Sequence, residues 1–270
     1  MMDPDLEPYA KDLALMVEAS RMAVDIGMSH FRQDPEVWYK NEGRSPVSEA
    51  DIAIDELLKK VLIGARPDYG WLSEEAEDTE HRLACRRVFI VDPIDGTRAY
   101  VGGRPDWCVS VGLVEDGKPV AGVLAAPARG EVWQAYTGGG AFLNDVQLTS
   151  GEPEIQDARL RVAVPDVVAR HMRPGAMAGL DKVAGGPSLA LRVAAVANAE
   201  LDGVYVRPQA SEWDLAAADV LLGETGHVLV DGAGRRMLYN QPDPARGLLL
   251  AASHQQVAGL LGLLLSSESH

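Results

Sequence analysis

The chain has 270 residues, of which 47% are hydrophobic and 24% are charged, the balance of a globular protein with a sizeable core. Its formal net charge is −15, and a surface this acidic repels nucleic-acid polymers and anionic membranes. A local cluster of metal ions or cations can still draw a small anionic substrate into one pocket.

The sequence also carries expectations about the compartment. It contains two cysteines, Cys85 and Cys108, without a CxxC spacing, which is typical of a reducing environment. The first ten residues are acidic and hold no apolar run, so no secretory signal is visible. No stretch reaches the roughly 18–20 apolar residues of a membrane span. We therefore expect a cytoplasmic protein.

The predicted elements begin with two helices. Apolar residues at mixed spacings of three and four predict an amphipathic helix from about Leu6 to Phe31. After a polar loop, a second helix is predicted from about Glu49 to Ala65. Ser48 is its expected N-cap, and Asp51 stands three residues later, at the spacing of a capping box.

After the second helix comes one short strand, and from Val88 to Leu148 the pattern is mostly that of short strands. A first strand begins at Trp71 and stops at Ser73-Glu74-Glu75. Further strands are predicted at Val88–Asp92, Val109–Glu115, Val120–Ala125 and Val132–Tyr136. The stretch "EDGK" has the Asp-Gly pair of a hairpin turn, and "TGGGAFLN" is a second, glycine-rich bend. The polar stretch Ser150 to Asp157 is expected to link two halves.

The second half alternates strands and helices. Strands are predicted at Val162–Pro165, Asp202–Arg207, His227–Asp231 and Leu248–Ala252, and helices at Leu189–Asn198, Asp214–Gly223 and Gln255–Leu265. This order predicts layers of α and β structure, with an antiparallel-rich first sheet and a mixed second sheet. We expect an N-terminal half, residues 1–149, and a C-terminal half, residues 150–270.

Carboxylates recur where a strand ends or a helix begins. They are Asp51, Glu74, Glu75, Asp92, Asp95 and Asp214. With few histidines and no cysteine pairs, this set favours a hard cation such as Mg²⁺ over zinc. Asp92 and Asp95 flank a proline that stiffens the turn, and two carboxylates this close tolerate each other when metal ions lie between them.

The Gly96-Thr97 pair indicates an anion site beside the metals. Glycine lets the backbone approach a ligand closely, and a helix starting there would point free N–H groups at a phosphate. Carboxylates for metals next to such N–H groups indicate metal-assisted phosphoryl transfer, in which two ions about 4 Å apart stabilise the attacking and leaving oxygens.

Four stretches of the chain resemble one known family. "WLSEEAED", "VDPIDGTRAY" and "SEWDLAAADVLLGETGHVL" are similar, in order and approximate spacing, to the three motifs of the inositol monophosphatase superfamily. "KNEGRSPVSEADIAIDELL" is similar to the family's lysine loop and the helix after it. The resemblance implies an α+β fold, the layered αβαβα sandwich shared with fructose-1,6-bisphosphatase, and a Mg²⁺-dependent, lithium-sensitive phosphatase.

The resemblance also implies roles for particular residues. Glu74, Asp92 and the Ile94 carbonyl would hold one metal, and Asp92, Asp95 and Asp214 a second, with a third, weaker ion leaning on Glu74. Asp51 and Thr97 would orient and deprotonate the attacking water. The Gly96 and Thr97 amides would bind the phosphate, and Lys40 would lie in a loop over the site. Family members commonly form homodimers.

The substrate is a narrower question. Inositol-preferring members carry a glutamate shortly before the Trp-Asp pair, where this chain has Val206 and Arg207. An arginine suits a second phosphate, because its fork pairs bidentately with phosphate oxygens. The sequence therefore favours the 3′(2′),5′-bisphosphate nucleotidase branch, although Arg98-Ala99-Tyr100 departs from that branch's usual residues.

Several alternatives stay open at this point. The substrate could instead be inositol-1-phosphate or a range of sugar phosphates, or the site could be the vestige in a non-catalytic binding protein. Among single residues, Asp51 could be only a helix cap, and Glu75 and Lys40 could be only solvated charges. His227 and both cysteines are interpreted as structural.

Overall fold

The computed structural model describes residues 7–33, 37–40, 45–149 and 159–265, with side chains described outside 37–40 and 45–47. The α-helices in these ranges are α1 (Glu7–His30), α2 (Glu49–Ala65), α3 (Thr97–Val101), α4 (Asp166–Ala169), α5 (Leu189–Ala197), α6 (Ala216–Glu224) and α7 (Val257–Leu261). Short 3₁₀ helices cover Glu80–Ala84, Pro127–Arg129, Ala176–Gly179 and Glu212–Asp214.

The strands follow in chain order. They are β1 (Val37–Lys40), β2 (Ser45–Ser48), β3 (Gly70–Ser73), β4 (Arg87–Asp95), β5 (Cys108–Glu115), β6 (Lys118–Ala126), β7 (Glu131–Tyr136), β8 (Gly140–Leu143), β9 (Val146–Gln147), β10 (Leu160–Ala163), β11 (Leu180–Val183), β12 (Gly203–Val206), β13 (Ala210–Ser211), β14 (His227–Asp231), β15 (Ala245–Arg246) and β16 (Leu249–Ser253).

The first sheet has seven strands in the order β3-β4-β5-β6-β7-β8-β9. Its β3–β4 pair is parallel and the other pairs are antiparallel. Asp116 and Gly117 join β5 to β6 with φ of 49° and 76°, as a two-residue hairpin turn with positive φ at both positions requires. The predicted antiparallel-rich sheet and its Asp-Gly hairpin are confirmed.

The second sheet has five strands in the order β11-β10-β12-β16-β14. Strands β10, β11 and β12 run parallel, whereas β16 is antiparallel to both of its neighbours. The predicted mixed sheet is therefore confirmed.

Alternate residues of β4 point into two different cores, which shows how the layers stack. Phe89 and Val91 pack with α1 and α2 on the outer face of the first sheet. Val88 and Ile90 face the opposite way, into a core formed with α5, α6 and the inner face of the second sheet. A third core on the outer face of the second sheet includes Leu260 of α7. The result is the predicted αβαβα sandwich.

Two glycines let α6 lie directly on the first sheet. A Cβ on Gly112 of β5 would come within 2.8 Å of the Ala216 Cβ, and one on Gly122 of β6 within 2.4 Å of the Ala217 carbonyl oxygen. Helix α6 begins two residues after Asp214, so this close approach holds the segment that carries Asp214 against the first sheet.

Most predicted elements are confirmed, and four need correction. The stretch "TGGGAFLN", predicted as a bend, contains strand β8 (Gly140–Leu143), and the polar loop before the second helix contains strand β2 (Ser45–Ser48). The second helix spans Glu49–Ala65 as expected. Asp214 does not open a helix, because it closes the 3₁₀ turn and α6 begins at Ala216. The last helix is much shorter than predicted and covers only Val257–Leu261. The expected linker, residues 150–157, lies outside the described part of the chain, and the two-half division stays a prediction.

Among the residues that the structure describes, no helix combines the length and the apolar character needed to cross a membrane.

Candidate active site

The end of β4 carries two aspartates in a turn held by local hydrogen bonds. The register between β4 and β5 shifts between Asp92 and Asp95. The Ile94 N–H donates to Asp92 Oδ1 at 3.0 Å, and the Thr97 hydroxyl donates to the Ile94 carbonyl at 3.0 Å. The turn therefore fixes both carboxylates and the Thr97 hydroxyl relative to one another.

Gly96 occupies a position that only glycine fits. Its φ is 94°, in the left-handed region, and a Cβ there would lie 2.8 Å from the Asp106 carbonyl oxygen. Helix α3 begins at the next residue, Thr97. The N–H groups of Gly96 and Thr97 thus lie at a helix N-terminus, where N–H groups have no acceptor within the helix.

Three carboxylates converge at this turn. Asp92, Asp95 and Asp214 each offer an oxygen, and these oxygens lie within 4.8 Å of one another. Burial raises the pKa of Asp92 well above its ordinary value, and the charges of Glu74, Asp95 and Asp214 raise it further. Burial, then the Asp95 charge, raises the pKa of Asp214 to about 7. Neighbouring carboxylates, here two buried and one partly buried, are the donor set of a hard divalent cation, so these residues fit a metal site.

Glu74 and Asp51 flank this cluster. Glu74 follows β3, and its N–H donates to the Val91 carbonyl at 3.2 Å. Its charge is the largest of the neighbouring charges that raise the pKa of Asp92, although Glu74 is not among the three residues grouped within 4.8 Å. Asp51 is buried, and burial raises its pKa to about 6. The charge of Asp51 also raises the pKa of Asp92.

Asp51 serves as a helix cap as well. Its Oδ2 accepts from the Ser48 N–H at 2.8 Å and from the Ser48 hydroxyl, which completes the predicted capping box. The capping interpretation and a place beside the acidic cluster are therefore both correct for this residue.

Asp95 is tied to the second half of the chain, which the sequence did not indicate. Its carboxylate accepts from the Ser188 hydroxyl, from the Leu189 N–H at 3.1 Å and from the Ala190 N–H at 2.7 Å. These groups form the N-terminus of α5, and they lower the pKa that burial raises. Asp95 thereby fastens α5 to the acidic cluster.

Two arginines lie beside the carboxylates. Arg207 follows β12 and is exposed, and its role as a substrate residue stays a prediction. Arg192 of α5 was missed. Burial lowers its pKa, the charges of Asp95 and Asp214 raise it, and the charge of Arg207 lowers it, so all three are within electrostatic range of its guanidinium. It also lines a cleft of about 340 Å³ together with Ser188. Its spacing of four residues from the Ser188 N-cap was the available sequence signal.

The remaining predicted residues fall as follows. Lys40 was expected in a loop, but it is the last residue of strand β1, paired with Ser45 of β2; its side chain lies outside the described part of the structure. His227 is buried, with Nδ1 3.0 Å from the Thr225 hydroxyl. Both cysteines are free thiols, Cys108 buried and Cys85 partly buried.

The raised pKa values predict an unusual pH dependence for the metal-free protein. A pKa raised in the folded state gives stability that is present below the unfolded pKa and is lost as pH rises through the folded value. For Asp51 and Asp214 that window runs up to about pH 6 and 7. In EDTA we expect the free energy of unfolding to fall by on the order of 3 kcal/mol between about pH 5 and 8.

Denaturant melts at several pH values would check this expectation. Asp214→Asn should flatten the slope, because the variant no longer has the carboxyl group whose pKa is raised. Saturating Mg²⁺ should oppose the loss, since it binds the deprotonated carboxylates. A metal-free protein that gains stability from pH 5 to 8 would contradict the prediction.

The layered α+β fold and the cluster of Asp92, Asp95 and Asp214 at the end of β4 are those of a class of phosphate-ester hydrolases, and comparison with known proteins identifies the family. A profile of the inositol monophosphatase family matches residues 9–267. The chain belongs to the inositol monophosphatase family and is a phosphoric monoester hydrolase.

Relatives with different names match the chain to similar extents. An inositol-1-monophosphatase of Rhizobium meliloti is 36% identical over 199 residues, covering 70% of this chain and 73% of that protein. A 3′(2′),5′-bisphosphate nucleotidase CysQ of Aggregatibacter actinomycetemcomitans is 33% identical over 210 residues, covering 74% and 77%. A histidinol-phosphatase of Mycobacterium tuberculosis is 33% identical over 203 residues, covering 67% and 72%.

A solved structure supports the fold. The extragenic suppressor protein SuhB of Bartonella henselae superimposes with a TM-score of 0.80 at 27% identity, covering 94% of this chain and 98% of that one. The resemblance inferred from the motifs is thereby confirmed over nearly the whole chain.

Proposed function

We propose that this chain is a Mg²⁺-dependent phosphomonoesterase whose preferred substrates are 3′(2′),5′-bisphosphate nucleotides such as adenosine 3′,5′-bisphosphate. The observation that carries the substrate class is the pair Arg192 and Arg207 beside the carboxylate cluster. Two guanidinium groups at one edge of a phosphatase site suit a substrate with a second phosphate, since arginine pairs bidentately with phosphate oxygens. A neutral polyol leaves such charges unmatched.

The proposed metal ligands are Glu74, Asp92, the Ile94 carbonyl, Asp95 and Asp214, for two or three Mg²⁺ ions. Bound there, Mg²⁺ would lower the pKa of the attacking water and neutralise charge on the phosphate. Asp92 is proposed as the shared ligand, because the charges of Glu74, Asp95 and Asp214 all act on it.

Residues of the chain itself are proposed to bind the phosphate, position the attacking water and accept its proton. The Gly96 and Thr97 N–H groups orient the phosphate. Thr97 positions the attacking water through its hydroxyl, which the Ile94 carbonyl holds at 3.0 Å. Asp51, with a pKa raised to about 6, is ionised near pH 7 and receives the proton. Lys40 is proposed to approach the phosphate from the β1 end.

A substrate comparison tests the proposal. Phosphate release with Mg²⁺ is measured for adenosine 3′,5′-bisphosphate, inositol-1-phosphate and histidinol phosphate at matched concentrations. We expect the bisphosphate to lead in kcat/KM by about 100-fold, equivalent to about 2.7 kcal/mol of transition-state discrimination. A lead for either monophosphate would reject the bisphosphate preference and leave the phosphatase class unchanged.

The second candidate is inositol-1-phosphate, favoured by the name of the Rhizobium meliloti relative. The intact carboxylate set speaks against a vestigial site, because a decayed site would be expected to lose at least one ligand. A cytoplasmic setting and a homodimer stay predictions.

A further inference from the structure

The segment that carries Asp214 is anchored by a fully buried carboxylate, Glu212, two residues earlier. Glu212 has no exposed surface. Its Oε2 accepts from the Asn240 N–H at 2.7 Å, and its Oε1 accepts from the Gln241 N–H at 3.1 Å and from Arg246 Nη2. A buried carboxylate with this many donors is a built feature of the fold, since an unpaired one would be very costly.

The backbone around Glu212 is held by the same loop. The Glu212 N–H donates to the Pro244 carbonyl at 3.0 Å, and β13 pairs with β15. On the other side, the Ser110 hydroxyl of β5 donates to the Trp213 carbonyl at 3.3 Å. The 3₁₀ turn is therefore clamped between the loop at 240–246 and the first sheet, and Asp214 projects from its end.

The loop at 240–246 also contacts Arg82, in the 3₁₀ helix that follows Glu74 in the chain. Arg82 is only 1% exposed, and its guanidinium donates to Asn240 Oδ1 at 2.8 Å and to the Gln241 carbonyl at 3.0 Å. The Asn240 amide donates in return to the Arg82 carbonyl at 3.0 Å. A Cβ on Gly70, the first residue of β3, would lie 3.0 Å from the Arg82 Cβ, so this arginine packs against the start of the strand that precedes Glu74.

We infer that Glu212 is a positioning residue for the metal site: through the loop at 240–246 it couples the placement of Asp214 to the Arg82 segment beside β3. This inference rests on the proposed metal-dependent reaction. Glu212 itself touches neither the metal nor the substrate, so its role is to keep the Asp214 carboxylate at the distance from Asp92 and Asp95 that a cation needs.

The test is Glu212→Gln, which preserves shape and removes the charge that faces Arg246. Calorimetric titration with Mg²⁺ and the Mg²⁺-induced rise in Tm give readouts that do not depend on turnover. We expect the Mg²⁺ affinity to fall by about tenfold, the scale measured for residues that support metal ligands from outside the coordination shell. At the Mg²⁺ concentration used to assay the wild type, the kcat of Glu212→Gln should fall together with the Mg²⁺ affinity.

The matched control is Asp12→Asn. Asp12 is also buried, and it accepts from Arg66, Tyr69 and Arg87, but it lies in α1, and Arg87 is at the opposite end of β4 from Asp92. We expect this variant to lose Tm while its Mg²⁺ affinity stays within about twofold of wild type, because sites this far apart act independently. If Glu212→Gln loses only Tm, as Asp12→Asn does, Glu212 is merely structural and the inference is overturned.

Arg246→Met covers the case in which Glu212→Gln fails to fold. It leaves the two backbone donors to Glu212 in place, so a smaller loss of Mg²⁺ affinity, about threefold or more, is expected. An unchanged affinity in that variant overturns the inference. Wild-type protein that binds no Mg²⁺ would instead reject the proposed function.

Discussion

Replacing Asp92 with asparagine is expected to lower kcat/KM for Mg²⁺-dependent phosphate release by about a thousandfold or more, equivalent to about 4 kcal/mol. Asparagine keeps the oxygen that accepts the Ile94 N–H, so the turn survives. It removes the negative charge at the centre of the acidic cluster. The charges of Glu74, Asp95 and Asp214 all raise the pKa of this Asp92 carboxyl. The loss should therefore come from metal binding and chemistry.

Stability separates this explanation from misfolding. Because the carboxylates repel one another without metal, Asp92→Asn should melt at the same temperature as wild type in EDTA, or higher, while its Mg²⁺-induced rise in Tm disappears. The control is Asp219→Asn. Asp219 lies in α6 and accepts a hydrogen bond from the Tyr239 hydroxyl at 2.9 Å, and burial raises its pKa to about 6. This variant should keep its activity within about threefold of wild type, as an independent site does. Wild-type activity in Asp92→Asn would contradict the proposed reaction.

Replacing Arg207 with alanine is expected to lower kcat/KM for adenosine 3′,5′-bisphosphate by about 10- to 100-fold, since a charge-assisted hydrogen bond is worth about 1.5–3 kcal/mol. Inositol-1-phosphate should change by less than about threefold, because it has no second phosphate to lose that contact. Arg207→Lys should recover only part of the loss, because lysine keeps the charge without the planar fork.

Replacing Arg192, on α5, tests whether a second arginine also contacts the second phosphate of the substrate. Arg192→Lys keeps a cation near Asp95 and Asp214, whereas alanine would also increase their mutual repulsion, so lysine is the cleaner variant. Arg235→Ala is the control, since Arg235 is an exposed arginine paired with Asp231 in a pocket that Leu261 of α7 also lines. Equal losses on the bisphosphate and the monophosphate would remove the reason to prefer the nucleotide.

Local pattern was enough to predict most of the scaffold. The second helix was located to the residue, because its capping box and its turn residues both lie within a few positions of its ends. Strands β3 to β7 of the first sheet were predicted because turn residues separate their apolar runs, whereas the short strands β8 and β9 were missed. The last helix was predicted too long, since the apolar run "LLGLLL" continues past the point where Leu263 and Leu264 leave the helix to contact other parts of the chain.

The sequence by itself determined the family, the order of the layers and the acidic residues of the site, because each of these is written in a short motif or a periodic run. Only the tertiary structure decided which groups hold those acids in place. Ser188 lies 93 residues from Asp95, and Asn240 lies 28 from Glu212, and both hydrogen bonds exist only after distant segments have packed. No short-range pattern encodes such pairs. The motifs therefore specify the chemistry, and the fold specifies its geometry.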